Sequence, residues 1–139
     1  MSSQEEESMS RPAILFACKQ NAGRSQMAAA IASQDPRVTV LSAGTTPADE
    51  VHPQTVTALA EIGLSVHQKP ALLSNDVLEQ ADWVITMGCG ETCPIYPGKH
   101  YEDWDVSDPA NQSLDHVRII RDDIADRVTD LINRIMLAQ

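Results

Sequence analysis

The segment Ala13-Ile14-Leu15-Phe16-Ala17 is an unbroken apolar run of strand length. It passes directly into the polar turn Cys18-Lys19-Gln20-Asn21-Ala22-Gly23-Arg24 and then into Ser25-Gln26-Met27-Ala28-Ala29-Ala30-Ile31-Ala32. A strand that is apolar at every position has both faces buried, the signature of a parallel sheet covered on both sides. The residues after the turn are strong helix formers. A strand, a tight loop and a helix in immediate succession admit few folds, and all of them are of the α/β class.

The rest of the chain repeats the alternation. Arg37–Ser42 reads as a second strand ending at the turn Ser42-Ala43-Gly44-Thr45, and Pro53–Ile62 as an amphipathic helix stopped at Gly63. A helix follows Pro70-Ala71-Leu72-Leu73, with Ser74 or Asn75 as its cap. Asp82–Met87 is a third buried strand, Gly88–Pro97 a Gly-, Cys- and Pro-rich loop, and Lys99–Trp104 a short fourth strand. The long helix over 114–137 has apolar residues at 117, 120, 124, 128, 131, 132 and 135. The expected architecture is a single three-layer α/β domain over residues 11–139, with residues 1–10 a disordered acidic lead. At 139 residues the chain is long enough to bury an ordinary core.

Charge restricts the partners. The formal net charge is −10, from 20 acidic and 10 basic side chains, so the mean field repels nucleic acid and anionic membrane surfaces. Only residues 11–45 are clearly positive, with Arg11, Lys19, Arg24 and Arg37 against Asp35. If the protein handles a small anion, residues 11–45 are where it would bind. No apolar run reaches the ~20 residues needed to cross a bilayer. Three cysteines and an opening unlike a signal peptide fit a reducing cytoplasm.

The turn after the first strand carries the chemistry. Ligands of parallel sheets bind at the carboxyl ends of strands. There a tight loop turns backbone N–H groups inward, and the next helix adds its positive end. Cys18 opens this loop and Arg24 stands at the helix start, the pattern Cys-x5-Arg-Ser. Such a cradle, formed by Lys19, Gln20, Asn21, Ala22, Gly23, Arg24 and Ser25, holds a tetrahedral oxyanion and favours a thiolate at Cys18. Arg24 can grip two oxygens as a planar fork, Ser25 can hydrogen-bond the sulfur, and Asn21 can shape the loop. No Gly-Lys-Ser/Thr closes it, which rules out a nucleotide P-loop.

Taken with Ser42-Ala43-Gly44-Thr45 and Asp108-Pro109, this loop resembles the low-molecular-weight protein tyrosine phosphatase fold, across residues 12–137. Within that fold the chain looks like the thioredoxin-coupled arsenate reductases. The resemblance implies a four-stranded parallel sheet flanked by helices and makes Asp108 the general acid that protonates the departing oxygen. The tyrosine phosphatases typically carry a second cysteine in the loop and an aromatic residue after Asp-Pro; this chain has neither, with Ala110 at the latter place.

A phosphatase and a reductase share thiolate attack and then diverge. Water completes the first reaction, whereas a second thiol must complete the other. Cys89 and Cys93 lie together in Gly88-Cys89-Gly90-Glu91-Thr92-Cys93-Pro94, a form that resembles an actinobacterial variant. The resemblance implies that Cys89 attacks Cys18, that Cys93 then attacks Cys89, and that thioredoxin reduces the resulting bond. Gly88 and Gly90 would give Cys89 its mobility. Three alternatives stand beside this. One is an arsenate–mycothiol transferase that needs only Cys18, with mycothiol and mycoredoxin as reductants. The others are a tyrosine phosphatase and a non-catalytic oxyanion sensor. Neither a metal site nor a tightly bound cofactor is expected, since two thiols make half a zinc site, and the chain is expected to be a monomer. His52, His67, His100 and His116 receive no role, Trp83 is assigned to the core, and Trp104 either packs beneath the acid loop or edges the site.

Overall fold

The computed structural model describes residues 11–88 and 98–139. The acidic lead at 1–10 and most of the loop after the third strand, with Cys89, Gly90 and Cys93, lie outside the described residues. Four parallel strands, β1 (Ala13–Cys18), β2 (Thr39–Gly44), β3 (Trp83–Met87) and β4 (His100–Asp103), form one sheet in the order β2-β1-β3-β4. The helices are α1 (Arg24–Ala32), α2 (Pro53–Ala60), α3 (Asn75–Gln80) and α4 (Leu114–Leu137).

Side chains alternate across β1, so its apolar run feeds two cores. Ile14, Phe16 and Cys18 face a core built with α1 and α4, while Leu15 faces a smaller one with Ala43, Val84 and Leu78 of α3. The three layers follow from that division. On α4 the periodic positions Val117, Ile120, Ile124, Val128, Leu131, Ile132 and Ile135 are all buried. Each such side chain is worth about 1.5–3 kcal/mol. This face, rather than local propensity, holds the helix in place.

Helix ends behave as their residues dictate. Ser74 caps α3 by accepting from the Val77 N–H at 3.3 Å, and Ser113 caps α4 through the His116 N–H at 3.2 Å. Gly63, at φ +77°, reverses the chain after α2. The second strand differs from expectation: it runs from Thr39 to Gly44, so Ser42-Ala43-Gly44 extends the sheet instead of turning. The register Ala17↔Ala43 and Cys18↔Gly44 accounts for this, since β2 must follow β1 to its last residue. Trp83 is only half-buried and stacks on His100, with ring centroids 4.3 Å apart. Trp104 is buried in the main core, its ring centroid 6.0 Å from that of Phe16. Among the described residues no helix is long and apolar enough to cross a membrane.

Candidate active site

Cys18 ends β1 at the carboxyl edge of the sheet, between Gly44 and Met87. The loop that follows is pinned from outside. The carbonyls of Cys18, Lys19, Gln20 and Ala22 accept from the N–H groups of Thr45, Thr46, Ala48 and His52 at 3.2, 2.8, 2.9 and 2.9 Å. In a planar trans peptide the N–H opposes the C=O. Carbonyls tied outward therefore turn the N–H groups of Lys19, Gln20, Asn21 and Gly23 inward. The Asn21 N–H indeed reaches the Cys18 sulfur, at 3.2 Å.

Buried Asn21 sets the loop's shape. It takes φ 51°, a left-handed conformation that asparagine tolerates better than most residues. Its side chain donates to Ser25 Oγ at 2.7 Å and accepts from the Ala71 N–H at 3.0 Å, while its carbonyl accepts from Gln26 Nε2 at 3.0 Å. Ser25 Oγ lies 2.9 Å from the Cys18 sulfur. Since that oxygen already accepts from Asn21, its own proton is free to point at the sulfur. Gly44 fits against the same loop: a Cβ there would come within 2.7 Å of the Lys19 carbonyl oxygen. The Ser42-Ala43-Gly44-Thr45 segment thus supplies clearance for the loop.

Cys18, Lys19, Gln20, Gly23, Arg24, His52, Gly88 and Asp108 line a cavity of about 200 Å³. Helix α1 begins at its wall with no side-chain cap and no acid in the first turn, leaving its N–H groups for an anion. Arg24 donates to the Val106 carbonyl at 3.1 Å and stands 3.7 Å from an Asp108 carboxylate oxygen. Asp108 also accepts from the Ala110 N–H at 2.9 Å, and its side chain is 59% exposed. A bound oxyanion would compete with this carboxylate for the guanidinium.

The structure brings Cys18, Lys19, Gln20, Gly23, Arg24 and Asp108 together around the cavity, while buried Asn21, Ala22 and Ser25 hold the loop from behind. The positive stretch narrows to Lys19 and Arg24, because Arg37 is paired with Asp35 at 2.7 Å. Cys89 and Cys93 lie outside the described residues, although Gly88, directly before Cys89, is on the cavity wall. Sequence reasoning missed His52, which no local motif marks.

A buried cysteine in a loop whose N–H groups turn inward, an arginine beside it and a carboxylate 3.7 Å from that arginine share one cavity. The model of the low molecular weight phosphotyrosine protein phosphatases matches residues 13–138. The chain belongs to that family. The solved structure of a Corynebacterium glutamicum thioredoxin-dependent arsenate reductase is 40% identical, with a TM-score of 0.83, covering 99% of this chain and 68% of that one. A Synechocystis glutaredoxin arsenate reductase is 33% identical over 128 residues, 88% of this chain and 97% of its own length. The arginine phosphatase of Geobacillus stearothermophilus is 25% identical, with a TM-score of 0.79 over 92% of this chain and 95% of that one.

Proposed function

We propose that this chain is a thioredoxin-coupled arsenate reductase of the reducing cytoplasm. The observation that carries the reading is the cavity itself. Cys18, Arg24 and Asp108 line it with no Phe, Tyr or Trp among the described lining residues, and the wall residue Gly88 is followed directly by Cys89. The site suits a small bare oxyanion better than an aryl phosphate. The similarity to arsenate reductases from two other organisms supports the same substrate.

In the first step the Cys18 thiolate attacks the arsenic of arsenate. A sulfur–arsenic bond forms as an oxygen departs, and Asp108 donates the proton that lets it leave as water. The loop N–H groups and Arg24 hold the remaining oxygens, where negative charge gathers. Cys89 then attacks the Cys18 sulfur. The new disulfide takes the place of the sulfur–arsenic bond, whose electron pair stays on arsenic and yields arsenite. Cys93 attacks Cys89, frees the Cys18 thiolate and leaves a Cys89–Cys93 disulfide for the thioredoxin dithiol to reduce. The scheme uses no resident metal or cofactor.

Disulfide mapping by mass spectrometry after adding arsenate tests the order, with each reductant withheld in turn. Cys18→Ser is expected to release no arsenite, and Cys93→Ser to release one equivalent and stop with Cys18 joined to Cys89. Full turnover of Cys93→Ser with mycothiol and mycoredoxin would replace the relay with the transferase scheme. Arsenate binding that never produces a disulfide would leave only a sensor.

A further inference from the structure

His52 has no place in the scheme above, yet its main chain is tied to the anion loop and its ring packs against Gly23. Its N–H donates to the Ala22 carbonyl at 2.9 Å, and its own carbonyl accepts from Thr55 and Val56 at 3.0 and 3.1 Å. The next residue, Pro53, has a fixed φ. The ring is wedged between the two loops of the site. A methyl built on Gly23 would lie 3.5 Å from His52 Nδ1 and 2.8 Å from Pro109 Cγ, so Gly23, His52 and Pro109 pack together only because Gly23 has no side chain. Within that wedge Nδ1 is buried and has no hydrogen-bond partner among the described residues. The other nitrogen, Nε2, lies 3.2 Å from Gln20 Oε1.

These contacts define a direction. A carbonyl oxygen only accepts, so with Gln20 Oε1 placed against it His52 Nε2 is the donor of this contact. With Oε1 held, the amide cannot turn over, and its NH2 is the end left free. Gln20 and His52 line both the cavity and the groove that opens from it along Pro109, so this amide stands at the cavity's mouth. A free glutamine on an exposed loop would forfeit about 1.5–2 kcal/mol of rotamer freedom on binding anything. A rigid donor behind it removes much of that cost beforehand.

We propose that His52 is a positioning residue of the oxyanion site. It fixes the Gln20 amide so that the NH2 donates to a bound tetrahedral oxyanion from the mouth, adding a side-chain donor to the backbone cradle and Arg24. This rests on the oxyanion reading of the cavity but not on the reduction chemistry.

Calorimetric titration of the reduced protein with inorganic phosphate, which binds without being reduced, tests it. A hydrogen bond to a charged group of ~1.5–3 kcal/mol corresponds to roughly a 10-fold or greater loss, so Gln20→Met should weaken phosphate binding at least 10-fold. His52→Phe should weaken it several-fold in the natural background and not at all in the Gln20→Met background. A ring that merely props the loops would instead give additive losses, and that result, or no loss in His52→Phe, overturns the proposal. Should the bulkier Phe prevent folding, Gln20→Glu decides. The carboxylate keeps an acceptor for His52 but places negative charge at the mouth, so it should bind phosphate more weakly than Gln20→Met. Equal affinities of the Glu and Met variants would refute the assigned direction. Phosphate binding reports on the cradle whether or not arsenate is reduced. Failure of this test therefore leaves the reductase reading standing, and absence of arsenite release leaves this comparison standing.

Discussion

Gly88→Ala separates two accounts of one glycine. The sequence suggests that Gly88 frees Cys89 to move, whereas the structure gives it a second task. Its φ is +82°, and a Cβ placed there would lie 2.5 Å from Arg24 Nη1, 2.8 Å from Nη2 and 2.9 Å from Cζ. The guanidinium is pressed flat against a backbone with no room for a side chain. Alanine would add strain of about 1–2 kcal/mol for the left-handed conformation. For a domain of this size that lowers the melting temperature by roughly 3–10 °C. The steric clash itself costs the fold less, because the far end of Arg24 can swing aside.

The site bears the larger loss. A displaced guanidinium gives up the Val106 carbonyl at 3.1 Å and its fork on the substrate. Charge-assisted hydrogen bonds of ~1.5–3 kcal/mol each predict a loss of roughly 10- to 100-fold in oxyanion affinity for even one such contact. Phosphate titration and a thermal melt of the same preparation measure the two effects separately. If Gly88 serves only mobility, the variant will bind phosphate normally and merely form the Cys18–Cys89 disulfide more slowly. Normal phosphate affinity in a folded Gly88→Ala protein would refute the clearance argument.

Other perturbations test the site and its frame. Ser25→Ala removes the hydroxyl 2.9 Å from the sulfur and strands the Asn21 amide, so alkylation of Cys18 by iodoacetamide at neutral pH should slow about 10-fold or more. Asn21→Ala loses the bonds to Ser25 and the Ala71 N–H and leaves alanine at φ 51°; a stability loss of about 3 kcal/mol or more is expected in urea. The Arg118 guanidinium, assisted by Arg121, lowers the Glu61 carboxyl from its ordinary 4.5 to about 2. That pairing stabilises the fold above pH ~4.5 and is lost as pH falls through about 2. The melting temperature of Glu61→Gln should therefore sit below the natural protein's at neutral pH and converge on it as pH approaches 2. Aryl phosphates should be hydrolysed weakly at most, and brisk turnover of p-nitrophenyl phosphate would favour a phosphatase.

The parts of this molecule that could be read in advance are those whose cause is local. An apolar run buried on both faces, an alanine-rich helix and the stripe from Val117 to Ile135 each state their environment in their own residues. So does Cys-x5-Arg-Ser, because the strand, loop and helix that orient it are contiguous. The second strand departs from its residue pattern at both ends for the opposite reason. Ser42-Ala43-Gly44 has turn composition, but its neighbour in β1 dictates that it stay extended, and the cause of its glycine is the Lys19 carbonyl across the register. Residue pattern sees a small residue and assigns flexibility, while the folded chain uses the same smallness as clearance. Gly44, Gly23 and Gly88 all follow that rule, each lying where a Cβ would strike a functional loop or Arg24. His52 was invisible in sequence because its connections run to Ala22 and Gln20 across the fold. The negative charge resolves in the same way. Some of the acids pair with arginines of α4, as in Arg118–Glu61, Arg127–Asp123 and Arg134–Asp130. Among its described lining residues the cavity keeps Lys19 and Arg24 facing a single carboxylate, Asp108. Net charge limits what approaches from afar, but within a screening length of about 8 Å the oriented N–H groups and the guanidinium decide what binds.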